Sequence, residues 1–129
     1  MILAQDVSGR VLLQLRDGWP HVPGAGRWSL FGGGVEVNES PGQAALREFE
    51  EETGIGLEPS DLQPLAKVGS TTKAGGVLFA FELTEPVSPA RIRLGEGAGF
   101  AFLDPSQLAS YPLMPSTEVI LRHAGYLPK

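Results

Sequence analysis

The chain has 129 residues, 42% hydrophobic and 19% charged, with a formal net charge of −5 and no cysteine. That length suits one domain, expected over 1–129, with a proper core, and the missing thiols exclude disulfides, thiolate chemistry and zinc-finger frameworks. No apolar run approaches the roughly twenty residues of a membrane span, residues 1–6 lack the features of a signal peptide, and ten scattered Lys and Arg argue against a nucleic-acid footprint.

In chain order, residues 1–5 and 10–16 read as strands joined at the turn cluster Asp6-Val7-Ser8-Gly9. Residues 17–27, with two prolines, three glycines and Trp19, read as a loop. Residues 28–31 and 35–37 are short extended pieces on either side of Gly32-Gly33-Gly34. A helix is predicted over 41–53: Ser40 is a good N-cap, Pro41 suits the first helical position, and Gln43 completes a capping box. Gly54 supplies a left-handed stop. Residues 65–72 and 76–83 read as a hairpin around Lys73-Ala74-Gly75, its second strand apolar and central. A proline-punctuated connection at 85–90 leads to a strand at 99–103, a helical turn from Asp104-Pro105-Ser106, and a helix over 115–124 stopped by Gly125. The order is α/β, a mixed β-sheet sandwiched between α-helices.

Between Glu36 and Glu52, seventeen positions hold six of the fifteen acidic residues. At about 100° per residue, Glu48, Glu51 and Glu52 fall within a third of the helix circumference. Ala45, Leu46, Phe49 and Thr53 form a neighbouring apolar stripe. A solvated acidic helix explains this poorly. The carboxylates lie in the C-terminal half, where the helix dipole opposes each by roughly 0.3–1 kcal/mol, and Glu48 and Glu52 form an i,i+4 like-charge pair. Only Arg47 offers compensation on the helix. Hard divalent cations take carboxylate oxygens, and Mg²⁺ commonly shares its remaining positions with phosphates and water.

The run Gly33…Glu39…Arg47-Glu48-Phe49-x-Glu51-Glu52-x-Gly54-Ile55 resembles the complete Nudix box of the Nudix hydrolases, MutT-like proteins among them. The resemblance implies the Nudix fold and a divalent-metal-dependent hydrolase of phosphoric anhydrides. Its substrate would be a small nucleotide, a nucleoside diphosphate linked to another moiety. The cofactor implied is Mg²⁺ or Mn²⁺. Glu51 and Glu52 are the principal ligands so implied, and Glu48 is a ligand or the general base. Arg47 orients Glu51 and the loop, Glu39 and Gly54 support the helix, and a backbone carbonyl at Gly32 or Gly33 adds a ligand. By the family's layout Glu96, within Gly95-Glu96-Gly97, is a further metal or base carboxylate. Arg16 and Arg27 are candidates for a phosphate, Gly33 for close approach to substrate, and Phe79 for stacking on a base.

The chain departs from the family's common pattern at Phe31, where proline often precedes the glycines. The oxidised-nucleotide branch often has asparagine at the start of the last helix, where Pro115-Ser116-Thr117-Glu118 stands here. Two other functions carry over from the family: an inactive nucleotide-sensing module and an RNA 5′-end pyrophosphohydrolase. The expected setting is the cytoplasm, as a monomer or homodimer.

Overall fold

The computed structural model describes residues 1–21, 25–69, 76–95 and 97–128. The expected hairpin tip and Glu96 lie outside these residues. Nine elements follow one another: β1 (Ile2–Leu3), β2 (Val11–Leu15), β3 (Trp28–Ser29), α1 (Pro41–Thr53), β4 (Leu62–Gly69), β5 (Val77–Leu83), β6 (Gly99–Leu103), α2 (Pro105–Leu108) and α3 (Pro115–His123). The strands form two three-stranded sheets, one in the order β1-β5-β4 and one in the order β3-β2-β6. β5 is central to the first, as its apolar sequence predicts, with β1 parallel and β4 antiparallel to it. The second sheet is antiparallel throughout. Isolated pairs join them, Ile2 with Phe31 and Gln5 with Val11.

α1 forms where its local signals place it. The Ser40 hydroxyl accepts from the Gln43 N–H at 3.1 Å, and the Gln43 side chain accepts from the Ser40 N–H at 2.8 Å. Gly54 ends the helix at φ +75°, its N–H donating to the Glu50 carbonyl. These caps fix both ends, so packing need only fix the rotation of the helix about its axis. The residues buried on α1 are Ala44, Ala45, Phe49, Glu52 and Thr53. Leu46 is only half-buried, whereas Glu52 shares the apolar stripe. Of the three acids that the sequence places on one face, Glu52 is the buried one: it lies seven residues after Ala45 and three after Phe49, and turns inward with them.

Two apolar clusters fill the interior. One gathers Leu3, Val11, Leu13 and Leu30 with Ile120 and Leu121 of α3. The other gathers Ile2, Leu12 and Phe31 with Ala45 and Phe49 of α1. Alternation along β2 sends Leu13 to the first cluster and Leu12 to the second. Residues 35–37 do not form the extended piece expected of them. The chain turns there instead, and Asn38 takes a left-handed φ of 64°. β4 begins three residues earlier than the apolar pattern suggests, because β5 pairs with it from Leu62 across an irregularity between Pro64 and Ala66.

Phe31 and Phe49 meet edge to face, centroids 6.0 Å apart, and both are fully buried. Their contact pins α1 to the glycine loop. Phe49→Ala should lower unfolding stability by about 3–5 kcal/mol in urea titration, and a loss under about 1 kcal/mol would show that the contact does not anchor the helix.

Candidate active site

A polar cavity of about 310 Å³ opens between α1, β2 and the glycine loop. Glu48 and Glu52 line it from the helix, Gly32 and Gly33 from the loop. Gln14, Arg16 and Asp17 line it from β2 and the residues that follow. The two carboxylates differ in surroundings. Glu52 is 3% exposed, accepting from the Gly32 N–H at 2.8 Å on Oε1 and from Gln14 Nε2 at 2.9 Å on Oε2. Glu48 presents a 17% exposed side chain and accepts from Arg47 Nη1 at 2.9 Å. Glu51, with 58% of its side chain exposed, is not among the cavity-lining residues.

The glycine loop approaches the acids because it has no side chains to keep it away. A Cβ on Gly33 would sit 2.5 Å from the Glu48 carboxyl carbon. Gly32 has φ +147°, and a Cβ there would meet the Met1 backbone at 2.6 Å, so only glycine delivers this N–H to Glu52. On the far side of Gly33 lies a smaller apolar cleft of about 40 Å³, lined by Val35, Pro41, Ala45, Val77 and Phe79 among others. Lys67 Nζ stands 5.6 Å from the centroid of the Phe79 ring.

Arg47 organises the rest. Its guanidinium donates to Glu39 at 2.7 and 2.9 Å, to Glu48 at 2.9 Å and to the Gly34 carbonyl at 3.1 Å, with a longer contact to Glu51 at 3.4 Å. These bonds keep Arg47 protonated. Conversely, the Arg47 guanidinium beside Glu39, helped by the Glu36 N–H, holds the Glu39 carboxyl at about 2 instead of 4.5. Burial lowers the Met1 α-amino group to about 6 against the opposing pull of Glu52 and Glu48. That group donates to the Phe79 carbonyl at 2.8 Å.

Several expectations are redrawn. Glu48 and Glu52 line the cavity and Glu51 does not, and among the described residues no three His, Cys, Asp or Glu side chains form a ready-made metal group. Arg47 bonds both Glu48 and Glu51, drawing Glu51 to the rim. Arg27 does not line the cavity. Its Nη1 donates to the Leu113 carbonyl at 3.1 Å, which ties the loop to the start of α3. Arg16 and Gly33 line the cavity, and Phe79 lines the apolar cleft. Gln14 and Asp17 were missed. A lone amide inside Val11-Leu12-Leu13-Gln14-Leu15 was the signal for the first; nothing marked the second. Thr117, in the stretch at the start of α3 where the oxidised-nucleotide branch often has asparagine, is fully buried and accepts from the Leu30 N–H at 3.2 Å.

The donor set suits a divalent cation: two carboxylates with different surroundings face one cavity, and a backbone stripped of side chains passes beside them. Fold and site together define an α/β domain built to bring acids on a capped helix against a glycine loop. The model of the NUDIX domain matches residues 1–124, and the chain belongs to the Nudix family, whose hydrolases generally need a divalent metal. It resembles the nucleoside triphosphatase NudI of Escherichia coli, 29% identical over 97% of this chain and 94% of that protein. An RNA pyrophosphohydrolase of Halorhodospira halophila is 40% identical over 57% of this chain, which spans 34% of the relative's length. A MutT NUDIX hydrolase of Burkholderia pseudomallei superposes with a TM-score of 0.72 at 29% identity, covering 95% of this chain and 94% of the other. No helix among the described residues is long and apolar enough to cross a membrane.

The acid-side stability of the domain should reflect the Arg47–Glu39 pair. A carboxyl lowered in the folded state stabilises fully above its unfolded value of 4.5, and that contribution disappears as pH falls toward about 2. The Tm difference between wild type and Glu39→Gln should therefore be constant near neutrality and close between those two pH values. A difference that persists undiminished at pH 2 would refute the pairing as its source.

Proposed function

We propose that this domain hydrolyses the diphosphate linkage of a small nucleotide, a nucleoside diphosphate bonded to a further phosphate or other group, with Mg²⁺ or Mn²⁺ as cofactor. The observation that carries the reading is the pairing of Glu48 and Glu52 in one polar cavity against the Gly32-Gly33 backbone. Glu52, buried and doubly bonded, is the fixed ligand. Glu48, partly exposed beside Arg47, serves as second ligand or as the base that takes a proton from the attacking water. A bound divalent cation neutralises phosphate charge, polarises the scissile phosphoryl group and acidifies a water. Arg16, on the cavity wall, faces the phosphates. Gly33 lets them come close, and Arg47 holds the glycine loop through the Gly34 carbonyl. Glu51 stands at the rim as an outer carboxylate. Phe79 and the apolar cleft receive part of the nucleoside.

The near full-length likeness to a nucleoside triphosphatase supports a nucleoside triphosphate as the first substrate to test. The shorter likeness to RNA pyrophosphohydrolases keeps a triphosphorylated RNA end as the second reading. Every acidic position of the box is filled, which argues against an inactive sensor. A cytoplasmic enzyme acting as a single domain is part of the same reading.

Purified protein given a panel of nucleotides and a triphosphorylated RNA, with Mg²⁺ or Mn²⁺, should release phosphate or pyrophosphate from the small nucleotides. Glu52→Gln should lower kcat on the order of a thousandfold, about 4 kcal/mol of transition-state stabilisation, with the fold retained by circular dichroism. Turnover within tenfold of wild type in that variant would remove Glu52 from the chemistry.

A further inference from the structure

The strand β2 reads Val11-Leu12-Leu13-Gln14-Leu15, one carboxamide among aliphatic side chains. Gln14 is 3% exposed. Its cross-strand partner on β3 is Ser29, so the two side chains share the face turned toward α1. Ser29 is fully buried, and its hydroxyl has no hydrogen-bond partner among the described residues. Two polar side chains side by side in an interior are costly, because a polar group taken out of water must recover its hydrogen bond. Packing alone favours aliphatic residues at both positions. Gln14 recovers a bond, but with the Glu52 carboxylate, 38 residues away in sequence.

That bond changes what Glu52 can do. The last torsion of a glutamate side chain is broad and weakly held, so each donor that grips a carboxylate oxygen narrows the orientations of its plane. Here two donors from different elements act, the Gly32 N–H on Oε1 and Gln14 Nε2 on Oε2. One grips each oxygen, and the plane is set. Since Gln14 and Glu52 both line the cavity, the plane is set relative to the space where phosphate and cation meet.

We propose that Gln14 is a positioning residue for hydrolysis, its carboxamide fixing the orientation in which Glu52 binds the cation. The inference rests on the reading of Glu52 as a metal ligand. Outer partners of metal ligands typically account for 10- to 100-fold in metal affinity or activity. Because Gln14 acts through Glu52, the effect should fall on metal affinity and kcat while the KM for nucleotide is spared.

The test compares wild type, Gln14→Leu, Glu52→Gln and the double variant. Mn²⁺ binding is read by electron paramagnetic resonance without nucleotide, and kcat and KM are measured separately. Gln14→Leu should weaken Mn²⁺ binding roughly 10- to 100-fold and lower kcat, with KM within about twofold. Added to Glu52→Gln it should cost nothing further, as expected for two residues acting as a unit. Wild-type Mn²⁺ affinity and kcat in Gln14→Leu, with Glu52→Gln inactive, would overturn the positioning role and leave the metal-ligand reading standing. A full additional loss in the double variant would overturn it too, by making Gln14 a direct substrate contact. If Glu52→Gln itself binds Mn²⁺ and turns over normally, the ligand reading falls and this inference with it. Should Gln14→Leu lack a cooperative thermal transition, Gln14→Asn, an amide one methylene short, is read by the same measurements and decides the question.

Discussion

A carboxylate with 3% exposure, set between the apolar stripe of α1 and a polar cavity, is the constraint around which this domain is arranged. Burying such a group costs several kcal/mol unless donors replace the lost water. Among the described residues the Gly32 N–H and the Gln14 side chain both donate to Glu52. One side chain therefore joins the end of α1, the glycine loop and the middle of β2. The rotation of α1 about its axis is what makes this possible. Phe49 against Phe31 sets that rotation, and Ala45 and Phe49 carry Glu52 inward with them. Packing and chemistry are coupled here: the apolar stripe that holds the helix also determines which of its acids faces the cavity.

Arg47 resolves the electrostatic problem posed by the remaining acids. Glu36, Glu39, Glu48 and Glu51 all lie within 4 Å of its guanidinium. The shortest bonds go to Glu39 and Glu48, with the Gly34 carbonyl completing the set. Arg47 alone does not neutralise the four carboxylates around it. Glu48 and Glu52 bring two carboxylates to the cavity wall, a donor pair that a divalent cation would complement. Bonding Glu39 also fastens the loop ahead of α1, so the same guanidinium serves charge and shape.

Local signals made α1 legible to the residue. A hydroxyl cap, a proline, a reciprocal glutamine and a glycine stop act within a few positions of one another, and none depends on distant chain. The order of strands and the centrality of β5 also followed from apolar runs. What failed were relations between distant segments. Helical geometry put Glu48, Glu51 and Glu52 on one face, but only the packing of Phe49 decided that Glu52 turns in while Glu51 remains at the rim. Arg27 looked available in the sequence because the Leu113 carbonyl it holds is 86 residues away. Gln14 was the reverse case. An amide in an aliphatic strand signals an unmet hydrogen bond, and its partner appears only when β2 is laid beside α1.

The same distinction explains why the box identifies a reaction and leaves the substrate open. The reacting groups lie within one helix and one adjoining loop, so their spacing in sequence is nearly their spacing in space. In the proposed reading, contact with the nucleoside falls to the cleft that joins β5, through Phe79 and Val77, to residues ahead of α1, through Val35 and Pro41. Gly33 lines this cleft too, and its backbone passes against the Glu48 carboxyl. A cleft of about 40 Å³ is too small to enclose a nucleobase. At Thr117 the hydroxyl that the last helix could offer is already bonded to the Leu30 backbone, inside the core. A deep polar pocket that reads a base through Thr117 is not compatible with how that residue is used, because its hydroxyl is spent inside the core.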